Sequence, residues 1–376
     1  MATSARYERL KKVLEKEKLD VVVALSPENT LYFAETYILT QASIRDRLEI
    51  AVLPLEKEPY MIGCSIEQPT IESETWITDR YFYTEFLENP IEILADVLKK
   101  RGLDHGKIGI ELDYLSASYY KDLVRCLPYA EFVPCANIFG KVRMIKEPEE
   151  IELLSFAAKS TVKALEKSLL EVHPGDTEFT LGTKIKNHML EDGADVITFL
   201  VMGTANNSFK AHKLPNDEIL PDGDLMRIDY GGAYSRGKLH CYNSDVARTI
   251  LIGMPNPVYV DVMKKFCEMY QYTYEHVKPG IPAKDLFTLC KEKCLSLGLE
   301  FACPHIGHSL GIGLHEFPIL SPTEDFELEE NMVFCIEPVL ISAGRKFHTE
   351  DLVQVTSTGY KVLSQDVFAP RYLELH

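Results

Sequence analysis

Asp229, Asp245, His308, Glu337 and Glu350 each stand in or beside a short apolar run, in LMRIDYGG, YNSDVARTILIG, HIGHSLGIGLHE, MVFCIEPVLI and FHTEDLVQV. Runs of this kind read as buried strands. An ionised carboxylate at such a position is costly unless something pairs it. Four acids and one imidazole drawn together call for about four positive charges, which two divalent cations supply. One imidazole among carboxylates suits manganese, iron, cobalt or zinc better than calcium or copper. The chemistry such a set could do is metal-assisted hydrolysis.

Each residue also has an ordinary reading. Asp229 and Asp245 could be strand-end aspartates capping turns. His308, in the glycine-rich GHSLGIG, could be a satisfied structural histidine, and Glu350 with Asp351 could close a turn. Glu337 resists this, because a glutamate flanked by Ile336 and Pro338 in a buried strand needs a partner. The ordered set D…D…H…E…E is more specific than any of its members.

Strands of a second domain must position these side chains. Residues 1–135 alternate: a helix over 5–18, strands at 20–25, 49–55, 59–63 and 107–112, helices at 91–102 and 115–126. That alternation predicts an α/β domain with a mixed sheet, and it contains no phosphate-binding glycine loop. The boundary falls near 138–148, giving domains 1–140 and 141–376. Pro148 followed by Glu149 and Glu150 is a good helix start. Ile151, Leu154, Ala158, Val162, Leu165 and Leu169 then recur at helical spacing. Further helices are expected over 256–277 and 282–298, with strand-rich pieces between and after them, so the second domain reads as α+β.

The chain of 376 residues exceeds what one core usually serves, which also favours two domains. A net charge of −17 argues against nucleic-acid and anionic-membrane partners. No apolar stretch has transmembrane length, and MATSARYERLKK reads as a helix rather than a signal peptide. Nine cysteines without CxxC spacing suggest free thiols in the cytoplasm.

The ordered set resembles that of the pita-bread metallopeptidases, the family of methionine aminopeptidase, aminopeptidase P, prolidase and creatinase. DGDLMRIDYGGAY and YNSDVART are similar to its two aspartate segments, GHSLGIGLHEFP to its histidine segment, and LEENMVFCIEPVL and FHTEDLVQVTSTGYKVLS to its glutamate segments. The first domain and the junction VRMIKEPEEIELL resemble the two-domain branch of prolidase, aminopeptidase P and creatinase. The resemblance implies a creatinase-like first domain, a pita-bread second domain and a homodimer. It implies two divalent metal ions, manganese first and cobalt, zinc or iron otherwise, held by Asp229, Asp245, His308, Glu337 and Glu350. A water shared by the metals would become the hydroxide nucleophile. Glu337 would pass its proton to the leaving nitrogen, and His212 and His315 would hydrogen-bond the substrate.

The chain departs from the family pattern at several points. Asp229 and Asp245 lie farther apart than in the typical hairpin, with the excess in SRGKLHC, where His240 reads as a surface-loop residue. His348 stands where prolidase-like members carry an arginine, which a histidine does not replace on a carboxylate. Arg345, or Arg45 and Arg47 of the first domain, could supply that charge, although each singly reads as a solvated cation. His305 is given no role, and Cys335 should share a strand face with Glu337 and pack there. The leading expectation is an Xaa-Pro dipeptidase or aminopeptidase acting on small peptides. The alternative is a hydrolase of small-molecule C–N bonds, of creatinase or ectoine-hydrolase type, and a remote third is a non-catalytic binding module.

Overall fold

The computed structural model describes residues 5–44, 46–254, 256–364 and 371–373. The chain divides into two compact units, Met1–Arg143 and Met144–His376.

In the first unit, β1 (Val21–Ala24), β2 (Ile50–Pro54), β3 (Tyr60–Cys64), β4 (Asp79–Tyr83), β5 (Lys107–Ile110) and β6 (Glu131–Pro134) form one sheet in the order β4-β3-β2-β1-β5-β6. The sheet is mixed: β1 pairs antiparallel with β2 and parallel with β5. Every residue of β1, β2 and β3 is buried, so these strands are continuous apolar runs instead of alternating ones. The helix Pro90–Lys100 starts on its proline, with the Asn89 side chain accepting from the Ile91 amide. It presents Ile91, Leu94, Ala95 and Leu98 to the core, each large side chain contributing about 1.5–3 kcal/mol by burial.

In the second unit, the helix Pro148–Leu169 carries a capping box between Glu147 and Glu150 and buries Leu154, Ala158, Val162 and Leu165. The strands are β7 (Val196–Thr204), β8 (Leu225–Arg236), β9 (Leu239–Asn243), β10 (Val246–Ile252), β11 (Glu300–Phe301), β12 (Gly307–Ser309), β13 (Glu316–Ile319), β14 (Val333–Ile336), β15 (Val339–Ser342), β16 (Arg345–His348), β17 (Asp351–Val355), β18 (Tyr360–Val362) and β19 (Arg371–Leu373). They make three sheets: β19-β10-β8-β7 with β9 on β8, β13-β12-β14-β17-β18, and β11-β15-β16. The helices Pro148–Leu169 and Glu178–Glu191 share a core with β7, β8 and β10. The helices Pro257–Glu275 and Ala283–Ser296 pack with β12, β14 and β17. The unit is α+β, as the sequence pattern predicts.

One expectation is corrected. The SRGKLHC excess is not an irregular loop: β8 runs on to Arg236, Gly237 turns at φ +61°, and β9 pairs back onto β8. His240 therefore lies on a strand. Glycine suits that turn because it adopts positive φ without steric cost.

Candidate metal centre

Strand register explains why the acids converge. Asp229 lies in the middle of β8 opposite Ala247 of β10, and Ala247 bridges Glu350, whose amide donates to the Ala247 carbonyl at 2.9 Å. Residues directly opposite share a sheet face, so the Asp229 and Glu350 side chains emerge on either side of a lone methyl. Asp245, two residues before Ala247 and immediately before β10, enters the same space. On the other sheet, His308 pairs with Cys335 and Cys335 with Leu352. Alternation carries that face on to Glu337 and Glu350.

Glu337 does not sit inside a continuous strand. Pro338 has no N–H for a ladder, so β14 ends at Ile336 and β15 begins at Val339 in a different sheet. Glu337 occupies the switch, its amide donating to the Ile306 carbonyl at 2.8 Å.

The five side chains meet. His308 Nε2 lies 3.4 Å from Glu337 Oε1, 3.8 Å from Asp245 Oδ2 and 3.9 Å from Glu350 Oε1. Donor atoms of Asp245, His308, Cys335 and Glu350 all fall within 4.8 Å of one another, and so do those of Asp229, His348 and Glu350. The two groups share Glu350. The His308 Nδ1 faces the Ser309 carbonyl at 3.0 Å, which leaves Nε2 turned to the acids.

The electrostatics are those of a site short of positive charge. Burial, then repulsion from neighbouring carboxylates, pushes Asp245 and Glu350 well above the usual carboxylate range. Burial also raises Asp229, against the pull of His348 and Arg227. Glu337 goes the other way: burial pushes it up, but the His348 hydrogen bond and the electrostatic pull of His348, His308 and His305 outweigh that and hold it below the usual carboxylate range. Burial lowers His308 to about 4. Asp229 Oδ1, Asp245 Oδ1 and Glu350 Oε1 are buried without a hydrogen-bond partner among the described residues. Converging carboxylate oxygens with spare lone pairs beside an imidazole fit divalent cations, which would hold all the acids ionised.

His315 is exposed and its ring stacks on that of His308, with centroids 3.7 Å apart. His212 follows the short turn Ala205–Phe209 and lies close enough to Asp229 to favour its charged form. Arg345 is not a solvated cation: it forms a fork on Asp224, at 2.8 and 2.5 Å, and reaches Asn206. Arg47 is likewise paired, with Glu85 and Glu67. Arg45 lies outside the described residues. Cys335 is buried with its sulfur among the donor atoms, a closer approach than packing alone.

Two residues were not expected here. Arg227 lies 3.1 Å from His348 and 3.8 Å from Asp229, and His305 Nδ1 lies 3.7 Å from Glu337. For Arg227 the signal was a cation two positions before Asp229 in an otherwise apolar strand, where alternation puts both on one face. His305 carried no comparable signal.

Residues 6–145 match the model of the creatinase/prolidase N-terminal domain, and residues 152–357 that of metallopeptidase family M24. The chain is 28% identical over 363 residues to an Xaa-Pro dipeptidase of Pyrococcus furiosus, covering 96% of this chain and 97% of that one. It is 26% identical over 364 residues to an Xaa-Pro dipeptidase of Lactobacillus helveticus, covering 95% and 96%. Among solved structures, an Xaa-Pro dipeptidase from Bacillus anthracis superposes with a TM-score of 0.87 at 22% identity, covering 99% and 100%. The prolidase from Pyrococcus furiosus gives 0.81 at 25% identity, covering 95% and 99%. These likenesses extend over both units, the second having the pita-bread architecture.

Proposed function

The chain belongs to metallopeptidase family M24 and is a metal-dependent hydrolase, and from that premise we propose that it cleaves Xaa-Pro dipeptides or short Xaa-Pro peptides. The convergence of Asp245, His308 and Glu350 donor atoms, with Asp229 beside Glu350 and with oxygens of Asp229, Asp245 and Glu350 partnerless among the described residues, carries the reading. We assign Asp229, Asp245, His308, Glu337 and Glu350 to hold two divalent cations, manganese first. When bound, such cations supply Lewis acidity and bring the pKa of a water toward neutrality.

The chain's own residues supply the rest. Glu337, held anionic, is the acceptor for the proton of the attacking water and hands it to the leaving nitrogen. His315 and His212 flank the acids and donate to substrate or to the developing oxyanion, each worth about 2–4 kcal/mol. The relatives' names, Xaa-Pro dipeptidase, point to the substrate class. A homodimer in the cytoplasm completes the reading by family resemblance. No helix among the described residues is long and apolar enough to cross a membrane.

The cations near the site decide between this reading and the small-molecule C–N one. A free dipeptide ends in a carboxylate, and the site's arginines are engaged: Arg345 on Asp224, Arg227 on His348. Lys346 remains. It lies two residues before His348, on the same face of β16, and forms no ion pair among the described residues. The test is metal analysis of the purified protein, then turnover of Xaa-Pro dipeptides, longer Xaa-Pro peptides and creatine- or ectoine-like amides. About two metals per chain with Xaa-Pro cleavage supports the proposal. Metal without Xaa-Pro cleavage moves the function to the small amides, and a folded, metal-free, inactive protein sinks both.

A further inference from the structure

His348 is 3% exposed, and both of its ring nitrogens are engaged. Nδ1 lies 3.1 Å from Arg227 Nη1, and Nε2 lies 3.2 Å from Glu337 Oε2. Its backbone is clamped by Thr249: the His348 amide donates to the Thr249 hydroxyl at 2.9 Å, and that hydroxyl donates to the His348 carbonyl at 2.8 Å. Arg227 is itself 2% exposed and is anchored by donating from Nη2 to the carbonyls of Ala211 and Lys210, the two residues preceding His212. The ring is thus fixed between a cation and a carboxylate.

A guanidinium has donors and no acceptor. Nδ1 must therefore present its lone pair to Arg227, and the ring proton must sit on Nε2, aimed at Glu337. The opposite tautomer would set N–H against N–H on one side and a lone pair against a carboxylate on the other.

We propose that Arg227 and His348 form a positioning relay for Glu337, in which Arg227 fixes His348 as the Nε2–H tautomer and that N–H holds Glu337 by Oε2. Oε1 is then the oxygen turned to His308, 3.4 Å away. The relay rests on the hydrolase reading with Glu337 as proton acceptor. Neither Arg227 nor His348 touches the reacting atoms. Arg227 also fixes the backbone before His212, donating to the Ala211 and Lys210 carbonyls.

Two measurements test the relay on the full-length protein. The first is nitrogen NMR of ¹⁵N-histidine-labelled protein loaded with diamagnetic zinc, with the His348 signals identified by their loss in His348→Asn. A protonated Nε2 and a bare Nδ1 are expected; a protonated Nδ1, alone or together with Nε2, overturns the relay. The second compares two amides. Glutamine reaches as far as Nε2 and can donate to Glu337, whereas asparagine can accept from Arg227 but stops short. His348→Asn is expected to lower kcat about 10–100-fold, with KM within about threefold, and His348→Gln to recover most of that loss. Equal losses in the two variants, tracking equal drops in Tm, would mean mere packing and overturn the proposal. Failure of the hydrolase reading looks different: the wild type itself would turn over no Xaa-Pro substrate, while the NMR result would still decide the tautomer.

Discussion

The two units bury acids in different ways. In the first, Glu111 is 2% exposed, yet its carboxylate accepts from the amides of Leu25 and Ser26 at 2.5 and 2.9 Å and from Asn29 Nδ2 at 2.6 Å. Its lone pairs are used, and Arg143 backs the network through Asn29 at 2.9 Å. In the second, Asp245 and Glu350 are as deeply buried, but each keeps an oxygen with no partner among the described residues and each faces other acids. Even neighbours differ. Glu350 has a spare oxygen, while Asp351 accepts from Arg248 at 2.7 Å and from the Ser364 hydroxyl at 2.6 Å. Burial of an acid therefore does not mark a site; convergence of unspent lone pairs does.

The sharpest way to break that contrast is to delete one acid of each kind. Glu350→Ala removes the residue shared by both donor groups, so it should abolish binding of both cations, and turnover with them, while leaving the first unit folded. Glu111→Ala should do the reverse, keeping the metal content while costing about 3 kcal/mol of stability by stranding buried donors. Elemental analysis beside denaturant melts reads both. Loss of metal in Glu111→Ala, or retention of two metals in Glu350→Ala, would erase the distinction.

A smaller effect separates holding a metal from moving a proton. Glu337 is the one acid of the cluster held well below the ordinary range. Glu337→Gln keeps an oxygen ligand and the shape but cannot take a proton. We expect kcat to fall by about 10²–10⁴, with metal content close to that of the wild type. Wild-type turnover in that variant would end the proton-acceptor role.

Much of this was legible beforehand, for physical reasons that also set the limit. The apolar runs around Asp229, Asp245, His308, Glu337 and Glu350 are short and distinctive because a charge inside them has to be compensated; in the structure Asp229 and His308 lie on strands, and Asp245, Glu337 and Glu350 stand immediately beside strand ends. The helix from Pro148 was readable because its capping and its periodic apolar face are local. Arg227 and His348 were not, being 121 positions apart; only the stacking of β8, β10 and β16 brings them to 3.1 Å. The same holds for β9. SRGKLHC has no strong strand pattern of its own and becomes a strand by pairing with β8.

Glu49 tests the contrast from the side of pH. It is fully buried, one of its oxygens has no partner among the described residues, and burial pushes it from 4.5 up to about 8 despite a hydrogen bond from the Cys64 amide. No metal-holding group of described residues forms around it, so its answer to burial is to keep the proton. The native value lies above the unfolded one, so the stability it permits is fully present below about pH 4.5 and is lost as pH rises through about 8. Glu49→Gln should flatten that decline and gain roughly 2–4 kcal/mol at pH 9 after allowance for relaxation. Melts of metal-free and metal-loaded protein from pH 5 to 9 should show the same gain in both. A gain present only without metal would tie Glu49 to the second unit's acids.

The smallest effect concerns what the site can grip. Lys346 donates its amide to the Ser208 hydroxyl at 3.1 Å, which ties β16 to the segment leading to His212. Burial lowers the pKa of its side chain, as does the nearby Arg227, while Asp229 and Glu337 work in the other direction. A half-buried ammonium without an ion-pair partner among the described residues, beside the candidate metal centre, is a natural seat for the carboxylate at the end of a free dipeptide. Lys346→Met keeps the aliphatic stem and removes only the charge. For Xaa-Pro dipeptides KM should then rise about tenfold, the loss of one partly screened charge pair, with kcat little changed. The same peptides carrying a C-terminal amide should show no difference between wild type and variant, because they have no carboxylate to lose. Equal changes for acid and amide would assign Lys346 to packing and return the choice to small C–N substrates, which need no such cation.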